Sequence, residues 1–325
     1  MADGGVATVD SNTGNLALYQ PLDFRQSTAS ALNADDFAHL SQPFLVYNSN
    51  TVNVQPLGEI YPQWDFLPSS IQLQISWNGG AFGSTSTFST TGHSANDTYL
   101  LAGRYVPAST IPTGVYTWQF QTTAGSDTTT YQKQPAAVVS NDSSPFGAGW
   151  SLSGLDQLYF GKDGSIMWDF GANASPAVWA WNGTGLTPPP NLYGTLSQNP
   201  RTSNWTYTSE HGVTYNFDPN GVLDTIKDPH GLAVTYTYSG SLLSTIKMPD
   251  GGVTTFSYNG SNQLTQVSEP GSRSLTFAYD ASGNQTSTTD SDGTRRTYAY
   301  DTNHKLTSVN WAPLTSLYSY SLASE

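Results

Sequence analysis

The residues of this chain best suited to chemistry fall short of each complete catalytic set. Gly149-Trp150-Ser151-Leu152-Ser153 would raise a serine nucleophile on a strand-to-helix elbow for acyl transfer if its fifth residue were glycine, but that residue is Ser153. The five histidines, His39, His93, His211, His230 and His304, are scattered. A hydrolytic zinc needs two imidazoles on one helical face, as in His-Glu-x-x-His, and no such pair occurs. Thr288, Asp290, Asp292 and Gly293 follow part of the spacing of a calcium loop, yet Ala299 stands where a bidentate glutamate should close it. No glycine-rich phosphate loop opens a helix. Cysteine is absent, which removes thiolate nucleophiles, thiolate metal sites and disulfides. The expectation is a non-enzyme with no catalytic residue, no cofactor and no metal.

The elements that would position any such residue are strands and turns. Charged residues make up 11% of the 325, well under the usual quarter, while aromatics reach 13%. Lys and Glu, which coat helix surfaces, number five and four. Gly, Ser, Thr, Asn and Gln take their place, as in β-rich chains whose strand faces carry Thr and Ser and whose turns need Gly, Asn and Asp. Twenty of the 24 acids are Asp, which places much of the net charge of −13 in turns. That charge argues against nucleic acid as a partner, because phosphate binding needs a basic patch. The adjacent pair Arg295-Arg296 reads as a solvated strand face. No apolar run approaches the roughly 18 residues of a membrane span, so no membrane insertion is expected. The opening ADGGVATVD after Met1 has neither the basic nor the apolar region of a signal peptide.

One phrase recurs. An aromatic residue before a turn falls at Phe217, Tyr238, Tyr258, Tyr279 and Tyr300, with spacings of 21, 20, 21 and 21. Each follows an alternating partner, Tyr215, Tyr236, Phe256, Phe277 or Tyr298, and alternation at period two marks a strand. The turns share a frame: Asp218 to Gly221, Asp280 to Gly283, Asp301 to His304. The leading Asp can accept backbone N–H bonds. The fourth position is predicted at φ > 0, as in a type I turn closed by a G1 bulge, with Asn262 and His304 as tolerable substitutes for glycine. The copy at Ser239 is one residue shorter. Beyond each turn stand two apolar residues three apart: Leu223 and Ile226, Leu243 and Ile246, Leu264 and Val267, Leu306 and Val309. The fourth copy departs, with Gln285 and Thr288. Spacing of three breaks alternation and predicts a bulge or bend. A Gly/Pro/Asp corner then resets each unit. A single hairpin buries too little to offset its own ordering, so the units must stack.

The pattern G-x-x-x-x-Y-x-Y-D-x-x-G-x-L-x-x-V over about 210–313 resembles the YD repeat of the bacterial Rhs and teneurin superfamily. Upstream, SPFGAGWSLSGLDQLYFGKDGS (144–165) is similar to the segment that opens such shells, and VDSNTGNLALYQPLDF (9–24) to the N-terminal strand of the family. The resemblance implies a long antiparallel sheet spiralling into a hollow shell. Such shells enclose a toxin or peptide, or form the rigid body of surface adhesion proteins. Many Rhs shells end in a self-cleavage sequence resembling P-x-x-x-x-D-P-x-G-L. Asp228-Pro229-His230-Gly231-Leu232 matches its second half, but Leu223 stands where the first proline belongs, so cleavage is not expected here.

The expected fold is all-β: a YD-repeat β-hairpin sheet, a partial spiral shell, with an inserted immunoglobulin- or fibronectin-like β-sandwich. Residues 1–50 read as N-terminal strands and linker, with a strand over Val6–Leu22, a short helix at Ala31–Leu40 and a strand at Phe44–Tyr47. Residues 51–140 carry short strands separated by Gly, Pro and Asn turns, near 71–77, 85–90, 98–106, 114–121 and 128–139, which suggests the sandwich. Residues 141–209 are Trp-rich, and 210–325 hold the repeats. Trp179 and Trp181 are the candidates for exposure and for glycan or partner contact; the competing reading is a Trp-rich core. The leading function is a structural extracellular or cell-surface scaffold, part of a larger shell or a self-assembling fibre subunit. The alternatives are a carbohydrate- or protein-binding adhesin module and the N-terminal part of a toxin-enclosing delivery shell. Self-association through edge strands, Val6–Leu22 and the segment with Leu317, Tyr318 and Tyr320, is the expected partnership.

Overall fold

The computed structural model describes residues 6–9, 16–21, 44–48, 57–60, 67–95, 97–103, 105, 111–171, 176–190 and 192–320. Among them every regular element is a strand and every sheet is antiparallel. The fold is all-β. The helix expected at 31–40 lies outside the described residues.

Thirteen strands run in sequence order from Thr195–Gln198 to Leu314–Leu317, each hydrogen-bonded to the one before. This sheet begins ahead of residue 210, because Thr195–Gln198 and Trp205–Thr208 form a hairpin that lacks the repeat phrase yet pairs with the first repeat strand, Thr214–Phe217. The turns within the repeats have the expected frame. Gly221 N donates to the Asp218 carbonyl at 3.0 Å, and Asp218 N donates to that of Val222 at 2.8 Å. The corners are the same device at the opposite edge, as at Asp228, Met248 and Asp290. The predicted left-handed positions hold, with φ of +62° at Asn262 and +61° at His304. The shorter second turn has Gly240 at φ +62°, the first central position of a two-residue hairpin loop that only glycine fills without cost.

The spacing of three is a bulge. Phe217 faces Leu223 while Asn216 faces Thr225, so Asp224 is the extra residue. The same shift recurs before Tyr238, Tyr258, Tyr279 and Tyr300. It turns both apolar residues inward: Leu223, Ile226, Leu243, Ile246, Leu264, Val267 and Leu306 are all buried in one core. Gln285 and Thr288 are buried at the matching places.

Val6–Leu22 is not one strand. Val6–Val9 and Leu16–Pro21 pair with each other, and a four-stranded sheet continues through Phe44–Asn48 to Trp150–Leu152. Between the last two strands of this sheet, the chain makes a five-stranded sheet and a two-stranded ribbon, Leu57–Ile60 with Tyr99–Ala102. Tyr99 and Leu101 of the ribbon share a core with Ile71, Leu73, Ile75 and Phe120 of the sheet. The run at 128–139 is two strands, Asp127–Thr130 and Gln134–Val138, both paired with the long strand Gly114–Ala124. A last four-stranded sheet spans Gln157 to Thr187.

Candidate functional site: the tyrosine and aspartate ladder and its strap

The signature residues of the repeat have specific structural partners. Asp218 Oδ1 accepts from the N–H groups of Asn220 and Val222, both at 2.8 Å. Asp280 does the same for Ser282 and Asn284, and Asp301 for Asn303 and Lys305. Asn259 substitutes by offering its amide oxygen to Ser261 and Gln263. Each side chain closes its own turn. Burial alone would raise the Asp280 carboxyl; the Asn284 amide and the N–H groups outweigh it and hold the group below the ordinary carboxylate value. Gly221 and Gly283 supply the left-handed fourth positions.

The tyrosines join neighbouring repeats. A bulge pulls a carbonyl out of the ladder of strand hydrogen bonds, and a buried carbonyl must find a donor. Tyr238 OH donates to the Leu223 carbonyl at 2.9 Å, and Tyr258 OH to that of Leu243 at 2.9 Å. Tyr320 OH does the same for Leu306 at 2.8 Å. Tyr318 and Tyr320 therefore open a sixth copy that the sequence reading left out. Its signal was present, since Tyr320 follows Tyr300 by one repeat period. Phe217, the first aromatic, makes no such donation, and a phenyl ring suffices there. Tyr279 OH is buried with no hydrogen-bond partner among the described residues. We therefore expect Tyr238→Phe and Tyr258→Phe each to cost about 1–2 kcal/mol in urea denaturation, and Tyr279→Phe to be near neutral. Equal losses at all three positions would sink the assignment of the hydroxyls to bulge carbonyls.

The turn edge of the sheet is sealed by a strap from far upstream. Leu158 N donates to the Gly221 carbonyl at 2.8 Å, and Gln157 bridges Val222. Leu264 N donates to the Pro145 carbonyl, and Ala148 N to that of Gly283. Tyr47 OH donates to the His304 carbonyl at 2.9 Å and accepts from Leu306 N at 2.7 Å. Trp150 Nε1 donates to Tyr300 OH at 2.8 Å, and its ring meets the edge of Tyr298 at 5.3 Å. The strap thus touches repeats one, three, four and five. It also lies against the odd fourth repeat. A Cβ on Gly147 would lie 3.0 Å from Gln285 Cβ, and Tyr298, beside Trp150, contacts Thr288 Oγ1 through its hydroxyl at 3.3 Å. The Gln285 amide is buried with no hydrogen-bond partner among the described residues, and nothing in the structure explains its exchange for the usual aliphatic residue. His304 also bonds Asn284 Oδ1 through Nδ1 at 2.6 Å, a contact invisible to turn rules.

The two tryptophan candidates part company. Trp179 is buried at 2% exposure, against Trp168 at 6.0 Å and Tyr207 at 6.1 Å. Its expected exposure is corrected: it pairs with Ile166 on the inward face of its hairpin. Trp181 lies two residues on, near the strand end over Gly164, and is 45% exposed.

Chemically the arrangement binds chain to chain. The near-elbow Ser151 aims its hydroxyl at the Val46 carbonyl. Asp290 and Asp292 accept from Ser291 and Thr294 within their own turn. Asp228 Oδ1 accepts from Leu232 N at 2.7 Å, so Asp228-Pro229 serves a corner. Among the described residues no three His, Cys, Asp or Glu gather as metal ligands.

No curated protein matches the chain. The RHS Repeat family model matches residues 279–310, which span Tyr279, the capped turns at Asp280 and Asp301, and the strand after the fifth turn. That match, on hairpins whose Asp280 and Asp301 cap their own turns, supports membership of the RHS/YD-repeat family, whose proteins are generally structural rather than catalytic.

Proposed function

We propose that this chain is a structural scaffold, one wall of a shell-type protein outside the cell or on its surface. The observation that carries the reading is that the turn carboxylates, and the ladder hydroxyls of Tyr238, Tyr258, Tyr300 and Tyr320, are spent on turns, bulges and strap. Polar atoms committed to the fold are not available to bind and turn over a substrate. RHS-repeat proteins are typically extracellular or associated with the cell surface. The shared core of the five-stranded sheet and the ribbon supports reading 51–140 as an inserted sandwich. The division into 1–50, 51–140, 141–209 and 210–325 goes with that reading, with the wall itself starting at Thr195. Antibody against 195–320 applied to intact cells tests the placement. Labelling only after lysis would overturn it.

The wall also has edges that suit assembly. Leu314–Leu317 is the last strand of the thirteen-stranded sheet among the described residues, with Leu314 and Leu317 at 63% and 78% exposure. From Leu306 to Ser324 the sequence carries no charge, so nothing there deters pairing. Self-association of copies through such edges is part of the proposal. Light scattering on the eluting protein should show species larger than the monomer at micromolar concentration, and Leu317→Lys should convert them to monomer. A wild-type monomer at every concentration removes assembly and leaves the scaffold.

A second reading has one observation in its favour. The exposed Trp181 offers an aromatic face for stacking a sugar ring. A glycan array separates the two, with saturable binding lost in Trp181→Ala. Trp179→Ala cannot serve in that test, since Trp179 is buried and its loss would hollow the core.

A further inference from the structure

The strap places a carboxylate where charge is hardest to hold. Asp156 is buried. Trp168 Nε1 donates to its Oδ2 at 3.0 Å. That indole is itself clamped between Tyr207, Tyr215 and Phe217, at ring distances of 4.8, 5.1 and 5.6 Å, so it cannot follow a departing carboxylate. The two residues after Asp156 are the tether to the wall, Gln157 on Val222 and Leu158 on Gly221.

The ionisable groups around it are acids. Asp169 acts on Asp156 from the neighbouring hairpin strand. Tyr236 and Tyr238 of the second repeat feel its charge, and Tyr238 also feels Asp224 and Asp218. Tyr159 lies next along the strap strand and Tyr215 on the first repeat strand. Lys227 and Lys247, the cations of the strands of these two repeats, are both exposed. Among the described residues each ion pair uses a histidine, and none reaches Asp156. A buried carboxylate without a cation is costly when ionised and cheap when neutral.

We propose that Asp156 is a proton-operated latch between the strap and the first two repeats: neutral, it seals residues 153–158 onto the turn edge; ionised, it lifts them and opens a seam beside Gly221 and Tyr238. Burial, against the pull of the Trp168 N–H and helped by Asp169, pushes its carboxyl up to about 7. The folded value lies above the unfolded one. The latch is therefore fully closed below about pH 4 and released as pH rises through neutrality.

Two measurements test it on the intact chain. With ¹³C-labelled aspartate, the Asp156 carboxyl carbon should titrate with a midpoint between 6 and 8 on the order expected for a buried acid; a midpoint in the ordinary range near ~4 would overturn the latch. Hydrogen exchange of 155–160, corrected for intrinsic rates, should lose about tenfold or more of its protection across the neutral range, and Asp156→Asn, which keeps an acceptor for Trp168, should lose none. Unchanged protection in the wild type, or the same fall in Asp156→Asn, would overturn it. If the variant fails to fold, the wild-type titration alone decides.

Discussion

Trp150→Ala is expected to destabilise the chain by about 3–5 kcal/mol, the range for emptying a fully buried aromatic site. Trp150 is completely buried and belongs to two structures at once. Its backbone pairs with Tyr47 in the four-stranded sheet, and its indole packs on Tyr47 at 5.5 Å and on Tyr298 of the fifth repeat. Its N–H holds Tyr300 OH, whose ionisation burial already opposes. Alanine removes the rivet between strap and wall and leaves a cavity. Trp150→Phe separates the two contributions, keeping most of the ring and leaving the Tyr300 hydroxyl without its donor, for about 1–2 kcal/mol. Urea denaturation followed by far-UV circular dichroism reads both. A loss below about 1 kcal/mol for the alanine variant would mean that the strap does not hold the wall.

Gly221→Ala should be the most damaging of the glycine changes at the repeat turns, and Gly283→Ala is its control. Both residues sit at φ +84°, so alanine pays the same left-handed strain at each, about 1–2 kcal/mol. Their surroundings differ. A Cβ on Gly221 would lie 2.2 Å from the Leu158 carbonyl oxygen and 2.9 Å from Leu158 Cβ, whereas one on Gly283 meets nothing nearer than Gln263 Nε2 at 3.9 Å. The excess loss at Gly221 therefore measures the seating of the strap, and we expect it to exceed about 2 kcal/mol in the same urea titration. Equal losses would place the strap off the first repeat and remove the tether on which the Asp156 latch depends.

The fourth repeat shows where reading and structure meet. Gln285 and Thr288 stood out as breaks in an otherwise regular phrase, but the phrase could not say why they were tolerated. The structure sets Gln285 against Gly147, more than a hundred residues upstream, and Thr288 against the Tyr298 hydroxyl, contacts that no repeat phrase names. Trp179 and Trp181 teach the same lesson from the other side. Two tryptophans on one strand face look alike in sequence, yet one lies beneath Trp168 and Tyr207 and the other over bare Gly164 at the sheet end. The sixth copy at Tyr318 and Tyr320 was within reach of the period, since Tyr320 follows Tyr300 by one repeat.

The sequence by itself determined what is local. A 20–21-residue period, an Asp that caps its own turn, a position at φ > 0 and an aliphatic pair three apart depend on neighbours within one hairpin. These features specified an all-β repeat sheet, its bulges and the conformation of His304. Only the tertiary structure decided what crosses the chain. The bond from Tyr47 to His304 spans 257 positions, and nothing in either segment names the other. The same holds for the burial of Asp156, whose environment is built by the second repeat and by the indole of Trp168. Hydrogen bonds within a turn follow from covalent proximity, whereas the strap's bonds follow from where thirteen stacked strands place an edge, and that placement exists only once the sheet has formed.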